Sequence, residues 1–118
     1  MDEWRKFELL ISQIEAALAP KGAVVRSPDR IPDKVTGQLR EVDASIRLQV
    51  GTTPILITIE CRDRVATQDD TWIEQLITKK EKIGASATIA VSSRGFTKPA
   101  SVSAAQFGIE LRTLTDTT

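Results

Sequence analysis

The chain has 118 residues, enough for one domain with its own core and too few for two, so a single unit over residues 1–118 is expected. Hydrophobic residues make up 41% and charged residues 27%, as in ordinary globular domains, and a formal net charge of zero argues against tight non-specific affinity for nucleic acid. Without His or Tyr, and with Cys61 as its one cysteine, the chain has no imidazole base, phenolic nucleophile, intrachain disulfide or cysteine zinc site, leaving carboxylate, lysine, arginine and hydroxyl chemistry.

Residues 2–19 carry Trp4, Phe7, Leu10, Ile11, Ile14 and Leu18 at three- and four-residue spacing, which predicts an amphipathic helix closed by Pro20-Lys21-Gly22. Residues 23–26 read as a short strand. The Pro- and Asp-containing stretch from Ser27 to Gly37 reads as a loop.

Residues 40–62 form two alternating segments around Gly51-Thr52, a pair suited to a two-residue type II′ hairpin turn. That turn sets the register. Leu48 then faces Ile55, Ile46 faces Ile57, Ala44 faces Ile59 and Val42 faces Cys61 on an apolar face. The other face is polar, with Arg47 opposite Leu56, Ser45 opposite Thr58, Asp43 opposite Glu60 and Glu41 opposite Arg62.

Residues 69–84, with Trp72, Ile73, Leu76, Ile77 and Ile83, read as a second helix ending at Gly84. A buried strand follows at 87–91, then a Ser-Arg-Gly loop. A third helix starts near Thr97 and Pro99 and runs to Gly108, before a last strand at 109–114 and a frayed tail at 115–118. The order α-β-β-β-α-β-α-β, with crossovers long enough for parallel neighbours, predicts a mixed α/β sheet with helices on both faces.

Two carboxylates on directly opposed strand positions lie roughly 5 Å apart at their stems and repel, so Asp43 and Glu60 call for a cation. A divalent metal answers that demand, because Mg²⁺ takes oxygen ligands and is commonly held by one or two carboxylates with waters and substrate phosphate. The backbone carbonyl of Cys61 offers a third oxygen, and Cys61 itself is better suited to filling the apolar face than to nucleophilic attack. Arg62, pointing to the same face, can hold a phosphate oxygen or pair across the strands with Glu41, and cannot act as a base. Further cations gather in the second half at Arg64, Lys79, Lys80, Lys82, Arg94 and Lys98.

The segments Thr36-Gly37, Arg40-Glu41-Val42-Asp43 and Ile57-Thr58-Ile59-Glu60-Cys61-Arg62-Asp63-Arg64 resemble the "tG..REvD" and "i.iECKdr" blocks of the PD-(D/E)xK restriction-endonuclease-like superfamily, in its Mrr-like and Holliday-junction-resolvase-like branch. The region from Ser92 through Arg94-Gly95-Phe96 to Ala105 resembles the tail of Mrr-like sequences. The resemblance spans nearly the whole chain.

It implies a Mg²⁺- or Mn²⁺-dependent DNA endonuclease with Asp43 and Glu60 as metal ligands. Glu15 stands where relatives add an acidic residue on the first helix, or is simply a solvent-facing glutamate. Arg62 departs from the pattern, which has lysine there; Lys79 or Lys80 on the second helix are candidates to supply the missing ammonium, and Gln75 lies one turn before Lys79. The rival reading is a catalytically silent nuclease-fold module that binds DNA or a protein. DNA is the expected partner, with a homodimer or a separate recognition subunit needed to cut both strands. No apolar run is long enough to span a membrane and the first residues lack the features of a signal peptide, so a cytoplasmic location is expected.

Overall fold

The computed structural model describes residues 3–113, with side chains from residue 5 onward. The Trp4 side chain, Leu114 and the tail at 115–118 lie outside them. The elements are α1 (Glu3–Leu18), β1 (Val24–Arg26), β2 (Asp29–Pro32), β3 (Leu39–Val42), β4 (Ala44–Val50), β5 (Thr53–Arg62), α2 (Asp70–Ile83), β6 (Ala87–Ser92), α3 (Lys98–Phe107) and β7 (Ile109–Thr113). Five strands form one mixed sheet in the order β1-β4-β5-β6-β7, antiparallel across β1, β4 and β5 and parallel across β5, β6 and β7.

The hairpin turn sits where the sequence places it: Gly51 has φ 61°, which a glycine adopts without strain, and Val50 faces Thr53. The ladder keeps the expected register as far as Ala44 opposite Ile59 and there it stops. Residues 39–42 turn aside and pair with 29–32 in a separate two-stranded sheet. The expected cross-strand pairs of Asp43 with Glu60, Val42 with Cys61 and Glu41 with Arg62 are therefore not made in the ladder. Asp43 is the hinge between the two sheets, its carbonyl accepting a hydrogen bond from the Ser27 hydroxyl at 3.0 Å.

One face of the sheet is covered by α1, whose Phe7 and Ile11 pack on Ala44, Ile46, Ile59, Cys61, Ile89 and Val91. Trp72, Ile73 and Leu76 of α2 and Ala100 and Ala104 of α3 cover the other, against Ala90 and Ile109. A smaller cluster of Ile31, Val42 and Ile83 seats the two-stranded sheet against α2. Strand residues therefore alternate in service to two cores, the period-two pattern of a sheet covered on both sides.

The middle of the hairpin's polar face is buried. Ser45, Thr58 and Thr88 are all 2% exposed or less, and each is satisfied: Thr58 Oγ1 lies 2.7 Å from Thr88 Oγ1, and the Ser45 hydroxyl donates to Asp29 at 2.7 Å. Hydrogen bonding removes the cost of burying these hydroxyls.

Helix termini are set by local chemistry. Asp69 caps α2 by accepting from the Thr71 amide at 3.0 Å, and Gly84 ends it with φ 72°. Thr97 caps α3 in the same way through the Ala100 amide. The buried face of α1 is rotated from the one expected: Phe7, Glu8, Ile11, Ser12 and Glu15 are buried, whereas Leu10 and Leu18 are 42% and 73% exposed. The apolar positions alone permit either rotation, and packing on the sheet chooses the one that buries two glutamates.

Candidate active site

At the carboxyl end of β5 the chain creates an unmet donor and fills it with a side chain. Because β3 veers away, the Cys61 amide loses the backbone carbonyl a continued ladder would supply, and Asp43 Oδ2 accepts from it instead at 2.7 Å. This fixes the Asp43 carboxylate beside Glu60. Burial pushes the Asp43 pKa up, with the nearby Glu60 charge adding to it against hydrogen bonds from Glu8 and Cys61.

Glu60, 8% exposed, is also raised by burial. Its charge is opposed by Lys79 of α2, whose Nζ lies 2.6 Å from Glu60 Oε2 and donates to the Glu41 carbonyl at 2.6 Å. Lys79 stands three and seven residues after Leu76 and Trp72, both buried against the sheet, so its stem runs along the same face and its head reaches the end of β5. Lys80 takes the adjacent angle and goes elsewhere, its ammonium lying beside Gly108 at the end of α3.

The acidic residue that α1 brings here is Glu8. Its carboxyl hydrogen-bonds Asp43 and its pKa is raised to about 7 by burial first, then by Asp43. Glu15 is two turns further on, about 10 Å along the axis, and pairs instead with Arg112 of β7. The expectation that Glu15 serves this site is corrected: the same helix face delivers Glu8. The sequence carries the signal, since Glu8 and Glu15 are seven residues apart and share one stripe.

Three carboxyls and one ammonium thus converge where β4, β5, α1 and α2 meet. Among the described residues no three acidic, Cys or His side chains form a ready-made ion cage. The site consists of paired hard oxygen donors, with one carboxylate held by a lysine and two others joined through a hydrogen bond.

No protein-family profile and no curated protein matches the sequence. Solved structures do match in fold. AF1548, a protein of unknown function, superposes with a TM-score of 0.76 at 12% identity, over 92% of this chain and 57% of its own. The MspJI restriction endonuclease, in complex with a 27-mer oligonucleotide, matches with a TM-score of 0.64 at 17% identity, over 96% of this chain and 26% of its own. The DNA modification-dependent restriction endonuclease AspBHI matches with 0.66 at 14% identity, over 95% and 29%. The fold is that of restriction endonucleases. In each case the present chain spans less than two thirds of the other protein's length.

In this restriction-endonuclease-like fold the acidic cluster opens onto a cavity of about 640 Å³, lined by Asp43, Glu60, Cys61 and Asp63 together with Arg40, Arg62, Arg64, Trp72, Gln75, Leu76 and Lys79. Cations and carboxylates thus share its lining. Arg62 makes no pair with Glu41, whose side chain lies 3.8 Å from Arg30. Its guanidinium lies over the Trp72 ring at 4.8 Å and donates to Gln68 at 3.1 Å. Partial burial and the charge of Arg64 lower its pKa, and Asp69 and Glu60 oppose them.

The Cys61 thiol, buried on the α1 face, has its pKa raised by burial and then by Asp43, so it stays protonated and packs as a small apolar group. Gln75 lines the cavity one turn before Lys79. Glu8, Arg40, Gln68 and Trp72 join the candidates named from the sequence. Of these, Trp72 was visible only as a core residue, and Arg40 only as part of the resemblance.

Proposed function

We propose that this chain is a metal-dependent DNA endonuclease domain of the PD-(D/E)xK type in which the catalytic ammonium has moved to α2. The observation that carries the reading is the convergence of Asp43, Glu60 and Lys79 at the end of β5, with Lys79 Nζ 2.6 Å from Glu60, in a fold shared with restriction endonucleases. A DNA complex exists for one of those neighbours, which supports DNA as the substrate.

The donor set suits Mg²⁺ or Mn²⁺: Asp43 and Glu60 offer carboxylate oxygens and Cys61 a carbonyl oxygen, all hard ligands, and the buried carboxyls carry more negative charge than Lys79 alone offsets. Glu8 adds a further oxygen through its contact with Asp43. When bound, such an ion supplies Lewis-acid polarisation of a phosphoryl oxygen and neutralises developing charge. The residues do the rest. Glu60 holds Lys79 in place, Lys79 offers a proton donor and a compact positive charge to the phosphate, and Arg62 contributes a planar donor set for a phosphate oxygen.

One such centre cuts one strand, so a double-strand break requires a second copy or a partner subunit, and a partner also compensates for the neutral overall charge. The reading is tested by nicking of supercoiled plasmid with Mg²⁺ or Mn²⁺, using wild type, Asp43→Ala, Lys79→Ala and Arg62→Lys. Wild type nicks, Asp43→Ala loses roughly 100- to 1,000-fold in rate, and Arg62→Lys loses roughly tenfold, because an ammonium lacks the planar donor set of the guanidinium. DNA retention by wild type without any cleavage identifies a silent binding module instead.

A further inference from the structure

Arg62 is held on two sides, by an aromatic face and by a side-chain amide. Its face lies over Trp72, whose ring is itself stacked on Phe96 at a centroid distance of 6.1 Å and an interplanar angle of 5°. Its Nη1 donates to Gln68 Oε1 at 3.1 Å, and Gln68 is only 6% exposed. The orientation of that amide is determined, because Gln68 Nε2 donates to the Ala66 carbonyl at 3.2 Å. The backbone of Gln68 is pinned as well: its amide donates to the Gly95 carbonyl at 3.0 Å and its carbonyl accepts from Thr97 at 2.9 Å, the residue that caps α3.

A guanidinium secured through one face and one nitrogen still has an edge to offer. Among the described residues Arg62 Nε and Nη2 have no hydrogen-bond partner, and Arg62 lines the cavity that contains Asp43, Glu60 and Lys79. Two parallel N–H groups on such an edge match two oxygens of one phosphate, and an ammonium has neither the plane nor the second donor to be held and to bind at once. Fixing the group beforehand removes the entropy that a free side chain loses on binding.

Resting on the DNA-cleaving reading of this site, we propose that Gln68 is a positioning residue that, with Trp72, presets Arg62 as a clamp for a backbone phosphate diester. This accounts for arginine at position 62 once Lys79 carries the ammonium. Gln68 acts through Arg62 and touches no substrate.

The test follows the Nε–H resonance of Arg62 by NMR, identified by its loss in Arg62→Lys, while a thymidine dinucleotide joined by one phosphate diester is titrated in without metal. In wild type the resonance shifts saturably. In Gln68→Met, which keeps the volume and removes the acceptor, affinity falls by roughly tenfold while the backbone spectrum away from residues 66–68 is unchanged. Followed through the resonances of the dinucleotide itself, adding Gln68→Met to Arg62→Lys produces no further loss of affinity.

A wild-type measurement guards against a variant that does not fold: rotation of the Arg62 guanidinium is slow in the free protein, with resolved Nη signals. Fast rotation, wild-type affinity in Gln68→Met, or dinucleotide binding that leaves the Arg62 resonance unmoved overturns the clamp. So does the absence of any response. A response of Arg62 in a protein that never nicks plasmid DNA removes the nuclease reading and keeps the clamp, whereas metal-dependent nicking without that response does the reverse.

Discussion

A lone buried carboxylate, Asp29, and a buried acidic cluster at the end of β5 flank the junction between the sheets, and they are built to opposite ends. Asp29 is 8% exposed, yet burial, which would push its pKa up, is outweighed by hydrogen bonds from Ser45, Arg47 and the Arg30 amide and by the Arg47 charge, so it sits below the usual carboxylate range. Every oxygen has a donor, and the group ties β2 to β4. At the end of β5, Glu8, Asp43 and Glu60 are all raised, burial leading in each case, with Lys79 and Arg5 as incomplete compensation. The same residue type is thus neutralised where it serves the fold and left short of positive charge where it serves the site.

The largest contrast the account expects lies within α2. Lys79→Ala lowers plasmid nicking by roughly 100-fold, whereas Lys80→Ala, one residue away and directed toward Gly108, leaves the rate unchanged. Equal effects of the two substitutions in a nicking assay would remove the distinction.

Next comes stability. Asp29→Asn removes a charged partner of Arg47 and costs about 1–3 kcal/mol in denaturant unfolding with nicking preserved. Asp43→Asn relieves repulsion with Glu60 and keeps an acceptor for the Cys61 amide, so its unfolding free energy is unchanged or higher while nicking is lost. The reversed pattern would show that the two sites have been assigned the wrong way round.

A smaller effect is pH-dependent. Glu8 has its folded pKa raised from 4.5 to about 7, so the folded state binds more protons than the unfolded one between those values. Its contribution to metal-free stability is fully present below about 4.5 and is lost as pH rises through about 7. Thermal melts across that range fall with pH in wild type and flatten in Glu8→Gln. On nicking the smallest effect is that of Glu15→Gln, which weakens the pair of a buried carboxylate with Arg112, costs about 1–3 kcal/mol of stability and leaves the rate unchanged.

Much of this was legible in the sequence, and the limits have physical causes. The β4–β5 register follows from one glycine turn and a period-two pattern, both local, and so it holds over seven residue pairs. It fails at Asp43 because β3 is claimed by β2, a pairing hidden in a stretch whose Pro28, Pro32 and aspartates read as loop. Asp43 and Glu60 still meet, through a side-chain bond to Cys61 that no alternation pattern encodes. Glu8 and Glu15 lie on one stripe, so the sequence does not separate them, and only docking on the sheet shows which of them reaches the carboxyl end of β5. Lys79 is separable from Lys80 in that it shares the face of Trp72 and Leu76, but only the packed fold sets that face of α2 toward the end of β5.

The central claim is that the carboxylates at the end of β5 form a cation site for cleavage and not a structural cluster. Titration of Mn²⁺ by isothermal calorimetry, with wild type and Asp43→Asn at pH 7.5, addresses it without requiring turnover. The account predicts one saturable site in wild type that disappears in a fully folded Asp43→Asn; undiminished binding by that variant would contradict it.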